Sequence, residues 1–378
     1  MKFLFFSLAK HQSTYFTKLL SCAGMCGRVV EVQALPWPAF GQLSNVLRRV
    51  EWRKLVEEKC QERRVKGKYQ GMAFRLLLRL EMLLAALRCA ALLKKEQPDA
   101  LVVWNGANRH CQLMLALLPA GTRTFFVENG LLPGTTTLDP RGVNYLNSVP
   151  REARFYLDYA GRVSLPSDGP PVVLIPRKPR GEGPPPVKLP DRFIFIPFQD
   201  DRDTQVRLYS PWVRNMRDLF ALGERIADET GWEVVFKEHP SSRESYPDLH
   251  CRCRDRLTFA NGNSTQELIE ASSFVITLNS TVGLESLLLS KPLLTLGHAF
   301  FNIEGLVVHA DSVEQLLALV EEFPKWPVDE RLRRAFLHYL SNEYCVPGRW
   351  QDASPEHLQE AARRLMANGC FASNGVVF

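Results

Sequence analysis

Nine cysteines are scattered through the 378 residues without a single Cys-x-x-Cys pair, and their number is odd. A disulfide framework is therefore excluded as the organising principle, and reduced thiols are expected. No two histidines stand at zinc-ligand spacing, so a structural or catalytic zinc is not expected either. The fingerprint Gly-x-Gly-x-x-Gly is missing, which argues against a dinucleotide site. No apolar run reaches the roughly 20 residues that cross a bilayer. Residues 3–8 look like a shortened signal core, but Lys10 and His11 cut it off, and a first buried strand is the better reading.

What remains is ordinary for a globular chain: 46% hydrophobic, 23% charged, formal charge +6. The length suits two domains. Strand, helix and strand over residues 3–8, 14–23 and 28–32 form a βαβ opening. Residues 48–95 are helical in pattern. Their first part is strongly basic, from Arg48 and Arg53 to Lys68 and Arg79, with Trp52, Tyr69 and Phe74 interleaved. Such a helix suits an anionic membrane surface or a polyanionic acceptor, although a plain solvated face has the same pattern. Residues 72–93 are apolar nearly all round, which predicts a buried helix. Strands over 100–104 and 123–127 follow, the second ending in Glu128-Asn129-Gly130 and a loop over 131–144. Nine prolines between residues 165 and 190 mark a stiff linker.

Past the linker, Phe193 to Phe198 is a strand apolar on both faces, and it passes abruptly into Gln199-Asp200-Asp201-Arg202-Asp203. In an open α/β sheet, groups just beyond a strand's carboxyl end face the ligand crevice. A helix-capping loop is the plainer alternative. Strands over 232–236, 257–260, 274–278 and 291–296 repeat the theme, with Lys237-Glu238-His239-Pro240 after the first and Asn279-Ser280-Thr281-Val282-Gly283 after the third. Small hydroxyls and unpaired N–H groups at a helix start suit phosphate, and Lys237 with His239 suits a leaving phosphate. Glu285, one turn into that helix, resembles the Glu that can accept from both ribose hydroxyls in two-domain nucleotide-sugar enzymes; a plain helix-surface residue is the alternative. Glu128 is a candidate base for an acceptor hydroxyl. A base in one domain and a phosphate cradle in the other resembles the division of labour in GT-B glycosyltransferases, with protein cations in place of a metal. Asp201-Arg202-Asp203 formally matches the metal-binding Asp-x-Asp of other transferases.

Four segments together resemble the bacterial capsule polysaccharide biosynthesis family, which includes β-Kdo transferases. They are Val127-Glu128-Asn129-Gly130, Gln199-x-x-x-Asp203, Lys237-x-His239-Pro240 and Asn279-Ser280-Thr281-Val282-Gly283-Leu284-Glu285, with Lys291-Pro292 beyond. The resemblance implies an α/β fold of GT-B type, two Rossmann-like domains facing each other across a cleft. The expected boundaries are 1–185 for the acceptor domain and 186–350 for the CMP-sugar domain, with 351–378 a helix returning to the first. It implies transfer of Kdo from CMP-Kdo to a saccharide or glycolipid with retention, for capsule or lipopolysaccharide O-antigen. Asp203 would be the nucleophile and Glu128 the base. Gln199 would position the donor; Lys237, His239, Ser280 and Thr281 would hold its phosphate, and Glu285 its ribose. Asp200 and Asp201 rival Asp203, Asn129 and Gly130 complete the Glu128 motif, and Arg202 departs from the acidic residue of some relatives. No metal or other cofactor and no nucleic acid partner is expected. The expected location is cytoplasmic, with contact to the inner membrane through the basic helix. An inverting CMP-sialic acid transferase and a non-catalytic glycan-binding subunit are the alternatives.

Overall fold

The structure, a computed structural model, describes residues 1–22, 24–166, 174, 184–240, 242 and 244–366. These residues form two units. One combines Met1–Gly130, Gly134–Ser148 and the described residues from Cys345 on, and the other combines Leu131–Pro133 with the described part of Val149–Tyr344. The Pro-rich linker expected over 165–190 lies largely outside the described residues.

The first unit opens with β1 (Phe3–Ser7), α1 (Lys10–Cys22) and β2 (Gly27–Glu31). The helices α2 (Leu43–Arg49), α3 (Trp52–Val65) and α4 (Met72–Glu96) follow. Next come β3 (Ala100–Trp104), α5 (Arg109–Ala116), β4 (Arg123–Asn129) and β5 (Thr135–Asp139). Strands β2, β1, β3 and β4 lie side by side and parallel, and β5 adds to β4 antiparallel. Every residue of β1 is buried because the pleat sends alternate side chains to two covered faces. Leu4 and Phe6 pack with Met82 and Leu87 of α4, and Phe3 and Phe5 pack with Phe16 and Leu19 of α1.

Two readings of this region change. Residues 131–144 are not a loop throughout. Gly130 turns the chain into β5, and a Cβ there would meet Thr135 Oγ1 at 1.9 Å. Nor is α4 buried along its length. Its C-terminal half fills the core, but Met72, Leu76, Leu77, Leu80 and Leu84 are exposed. An apolar circumference reports that a helix avoids charge; whether a neighbour covers every side depends on the rest of the fold.

The second unit starts at α6 (Ala153–Ala160), then β6 (Phe193–Pro197), α7 (Thr204–Tyr209) and α8 (Met216–Thr230). It continues with β7 (Glu233–Lys237), α9 (Pro247–His250), β8 (Leu257–Phe259), α10 (Thr265–Ala271) and β9 (Phe274–Thr277). It ends with α11 (Thr281–Leu288), β10 (Leu293–Thr295), β11 (Val308–His309), α12 (Val313–Glu322) and α13 (Glu330–Tyr339). All six strands run parallel in the order β11-β10-β9-β6-β7-β8. Numbered from β6, that is the doubly wound order, which reverses direction between β6 and β9. Local signals set the helix ends. Asn215 caps α8 and Gly231, at φ +74°, closes it, while Ser264 and Glu267 form a capping box on α10.

The chain then returns to the first unit. There β12 (Val346–Pro347) pairs antiparallel with β5, and α14 (Pro355–Met366) packs on α1. The hydroxyl of the buried Tyr15 lies 2.9 Å from His357 Nε2, and His357 Nδ1 lies 2.8 Å from the Pro347 carbonyl. Burial lowers the His357 pKa, which favours the neutral imidazole between these two partners.

Candidate functional site

Register brings the second unit's motifs level. Pro197 of β6 pairs with Lys237 of β7, and Phe195 pairs with Val275 of β9, so Pro197 also stands level with Thr277. The residues just beyond, Phe198-Gln199, Glu238-His239 and Leu278-Asn279, therefore leave the sheet together at its carboxyl edge. Strands lie about 4.8 Å apart, so the β7 and β9 ends are roughly 10 Å from one another. This edge includes the β6–β9 switch point, where doubly wound sheets bind ligands.

Two buried amides join across that switch point. Gln199 Nε2 donates to Asn279 Oδ1 at 3.1 Å, and the Asn279 amide N–H donates back to Gln199 Oε1 at 3.3 Å. Asn279 Nδ2 also reaches the carbonyls of Gln205 at 3.0 Å and Tyr209 at 3.1 Å. The fit leaves no room beside it, since a Cβ on Gly297 would lie 2.9 Å from the Tyr209 carbonyl oxygen and 3.3 Å from Asn279 Nδ2. Asn279 is the first residue of Asn279-Ser280-Thr281-Val282-Gly283, but its place as the hub of this network depends on partners distant in sequence.

The three aspartates after β6 separate in role. Asp201 is buried, accepting from the Met216 N–H at 2.8 Å and the Tyr246 hydroxyl at 3.1 Å. Burial raises its pKa above the ordinary carboxylate range, and raises that of Tyr246 too. Asp200 accepts from the Arg202 N–H at 2.9 Å, and Arg202 pairs with Glu244 at 2.9 Å. Asp203 is exposed and caps α7, its Oδ1 accepting from the Gln205 N–H at 2.9 Å. The loop after β6 therefore caps α7 through Asp203, as the plainer reading has it.

Lys237 turns part of its donor set inward. Its Nζ donates to the carbonyls of Asn261 at 2.8 Å and Asn263 at 2.6 Å, and burial lowers its pKa. Asn261 Oδ1 also receives the Glu238 N–H at 2.8 Å. The carbonyl of His239 accepts from the Ser242 N–H at 2.9 Å. Ser280 caps α11, its Oγ accepting from the Val282 N–H at 3.2 Å. Thr281 opens α11, and Glu285 lies half-buried one turn on. Gly283 fits α11 against Phe301, where a Cβ would stand 2.8 Å from the ring.

Glu128 is the penultimate residue of β4 in the first unit. Its Oε2 accepts from Asn105 Nδ2 at 2.7 Å, and its Oε1 from the Asn129 N–H at 2.9 Å and Nδ2 at 3.1 Å. Asn105 follows β3 in the left-handed region at φ +59°, with Gly106 next at +84°. Asparagine tolerates that backbone, and its amide reaches the carboxylate of the adjacent strand. Asn129 Oδ1 in turn accepts from Trp350 Nε1 at 2.8 Å and Gln351 Nε2 at 3.2 Å. The Asn105-Gly106 pair after a strand was a visible signal for this partner. Trp350, some 220 positions away, gave none. Among the described residues no group of three or more His, Cys, Asp or Glu side chains is arranged to hold a metal ion.

Residues 187–349 match the family model described as capsule polysaccharide biosynthesis protein. The segment includes Gln199, Asp203, Lys237, His239, Ser280, Thr281 and Glu285, and leaves out Glu128. The chain is 40% identical over 255 residues to Protein FixF of Sinorhizobium fredii, covering 65% of this chain and 60% of that one. It is 27% identical over 132 residues to the capsule polysaccharide export protein KpsS of Escherichia coli, covering 32% of this chain and 33% of the relative. The chain thus spans less than two thirds of either relative. Among solved structures it is similar to Thermosulfurimonas dismutans KpsC, a β-Kdo 2,7 transferase, at TM-score 0.47 and 14% identity over 89% of each chain.

Proposed function

We propose that the protein is a glycosyltransferase that moves Kdo from CMP-Kdo to a saccharide or glycolipid acceptor with retention, in capsule or O-antigen synthesis. The observation that carries this reading is the levelling of Gln199, Lys237, His239 and the α11 start at the ends of three neighbouring strands. All of them lie within the segment that matches the capsule family. The α11 N–H groups, Ser280 and Thr281 would receive the phosphate, and Glu285 the ribose. Lys237 keeps one N–H beyond its two carbonyl partners, and its charge sits at the β7 end. Gln199 would act on the donor through the amide lock with Asn279. No metal is required in this scheme.

Retention calls for two displacements at one carbon. Asp203 Oδ2, outside the cap made by Oδ1, would attack the anomeric carbon while CMP departs with the electrons of the broken C–O bond. The acceptor hydroxyl would then attack from the opposite face, give its proton to Glu128 and release Asp203. The test is incubation of Glu128→Gln with CMP-Kdo and no acceptor. A mass increase of one Kdo mapped to Asp203 is expected. Loss of the adduct in Asp203→Asn should accompany it. Kdo transfer at the native rate by Asp203→Asn would sink the scheme, and an inverted product by NMR would favour the sialyltransferase-like alternative.

A further inference from the structure

The exposed half of α4 calls for a covering partner. Of the sixteen large apolar side chains exposed among the described residues, ten fall between Trp37 and Leu84. Met72, Leu76, Leu80 and Leu84 follow at steps of four and form one ridge along the helix, 82%, 60%, 51% and 48% exposed. Trp37 is 91% and Phe40 67% exposed. Their segment is held against α4 by the Ala39 N–H to the Leu87 carbonyl at 3.2 Å and by Arg88 Nε to the Pro36 carbonyl at 3.0 Å.

Charge accompanies this surface. Residues 37–84 carry eleven Lys and Arg against five Glu. The excess of six equals the formal charge of the whole chain, so the remaining residues balance to zero. The acids here are already engaged: Glu62 with Lys59 and Lys66, Glu57 with Arg75, and Glu81 with Arg109. Arg48, Arg53, Lys68 and Arg79 are exposed, and among the described residues none has an ion-pair partner. Arg79 lies three positions beyond Leu76, beside the ridge.

We propose that this face docks on an anionic lipid bilayer, the α4 ridge and Phe40 entering the interface while the unpaired cations meet the headgroups. A bilayer fits better than a second copy of the chain, because two such faces would oppose their own positive charge. It fits better than a soluble polyanion, which would leave the leucine ridge in water. The inference is independent of the transferase reading, since it is tested by binding alone.

The experiment is vesicle flotation of the full chain with phosphatidylcholine alone and with phosphatidylcholine mixed with phosphatidylglycerol. Binding to the mixed vesicles, weakened by salt, is expected. Leu76→Asp/Leu80→Asp should lower the partition by about tenfold or more, and so should Arg48→Gln/Arg53→Gln/Lys68→Gln/Arg79→Gln. These positions are exposed, so both variants should keep the native melting temperature, which is measured alongside. Absence of binding to the anionic vesicles overturns the proposal. Unchanged binding by the two leucine substitutions does so as well. A dimer in sedimentation that the leucine substitutions dissociate, without vesicle binding, assigns the face to a second copy. Retention on an anionic polysaccharide column without vesicle binding assigns it to a glycan.

Discussion

The two sheets share a doubly wound plan but finish their strands differently. In the second unit, four of the six parallel strands deliver polar groups to one edge, and those groups are tied to each other: Gln199 to Asn279, Asp201 to Tyr246, Lys237 to the carbonyls of Asn261 and Asn263. In the first unit only four strands are parallel, and β4 runs on through Gly130 into an antiparallel hairpin. A single carboxylate, Glu128, stands there between two asparagine amides. The contrast separates a network that spans several strand ends from one carboxylate held by three amide N–H donors. A preorganised network suits a charged phosphate, which needs fixed donors. A carboxylate positioned by neutral amide donors suits proton transfer, where it must make and break a bond to a proton.

Substitutions can break that contrast. The largest effect is expected at Asp203. Asparagine caps a helix as well as aspartate, so Asp203→Asn should leave unfolding by urea within a few tenths of a kcal/mol while lowering Kdo transfer by about a thousandfold or more. An equal loss of stability and activity would mean that the residue only caps α7. Next, Asn279→Leu should cost about 3 kcal/mol, because it strands Gln199 and two backbone carbonyls in a buried place. In the first unit, Asn105→Gly, which keeps the left-handed backbone, should cost about 1 kcal/mol, and a cost matching that of Asn279→Leu would erase the distinction. Gly297→Ala should cost about 1–3 kcal/mol by forcing a Cβ against the Tyr209 carbonyl, read as a lower melting temperature.

Opposite pH slopes give the finest comparison. Burial raises Asp201 above its unfolded value, so the folded state holds its proton more tightly. Its contribution therefore declines as pH rises from the unfolded value, about 3.9, through the raised folded one. Asp201→Asn should remove that decline, seen as a flatter stability curve across this window. In α14 the hydrogen bond from Arg363, helped by Arg364, lowers Glu360 to about 2. That contribution is present above the unfolded value, about 4.3, and is lost as pH falls through about 2. Glu360 is 26% exposed and its partner Arg363 56%, so solvent screens the pair in part, and Glu360→Gln should cost about 1 kcal/mol at neutral pH.

Much of this was legible in the sequence. Apolar runs flanked by polar turns marked the central strands, since a strand covered on both faces must be apolar throughout. The polar groups after β6, β7 and β9 were visible for the same reason. Three things were hidden. The hairpin after Gly130 has a strand, Thr135 to Asp139, rich in threonine and bounded by no apolar run. The exposure of the α4 leucines depends on what the fold fails to place over them. The inward bonds of Lys237 depend on Asn261 and Asn263, brought near by a strand pairing no local pattern encodes. The family match covers the second unit's motifs and leaves Glu128 to be judged on its own surroundings.

The return of the chain to its first sheet has a consequence for synthesis. Val346 and Pro347 complete an edge begun by β5, and Leu358 and Leu365 of α14 fill the core around Phe5 and Phe16. At roughly 5–20 residues per second, about 200 residues separate β5 from α14, a delay on the order of ten to forty seconds. Through that interval the nascent first sheet has one face without its last helix, and by its end every strand of the second sheet has been made. The second unit can therefore finish folding on the ribosome before the first, and the incomplete face of the first is where a chaperone would be expected to bind.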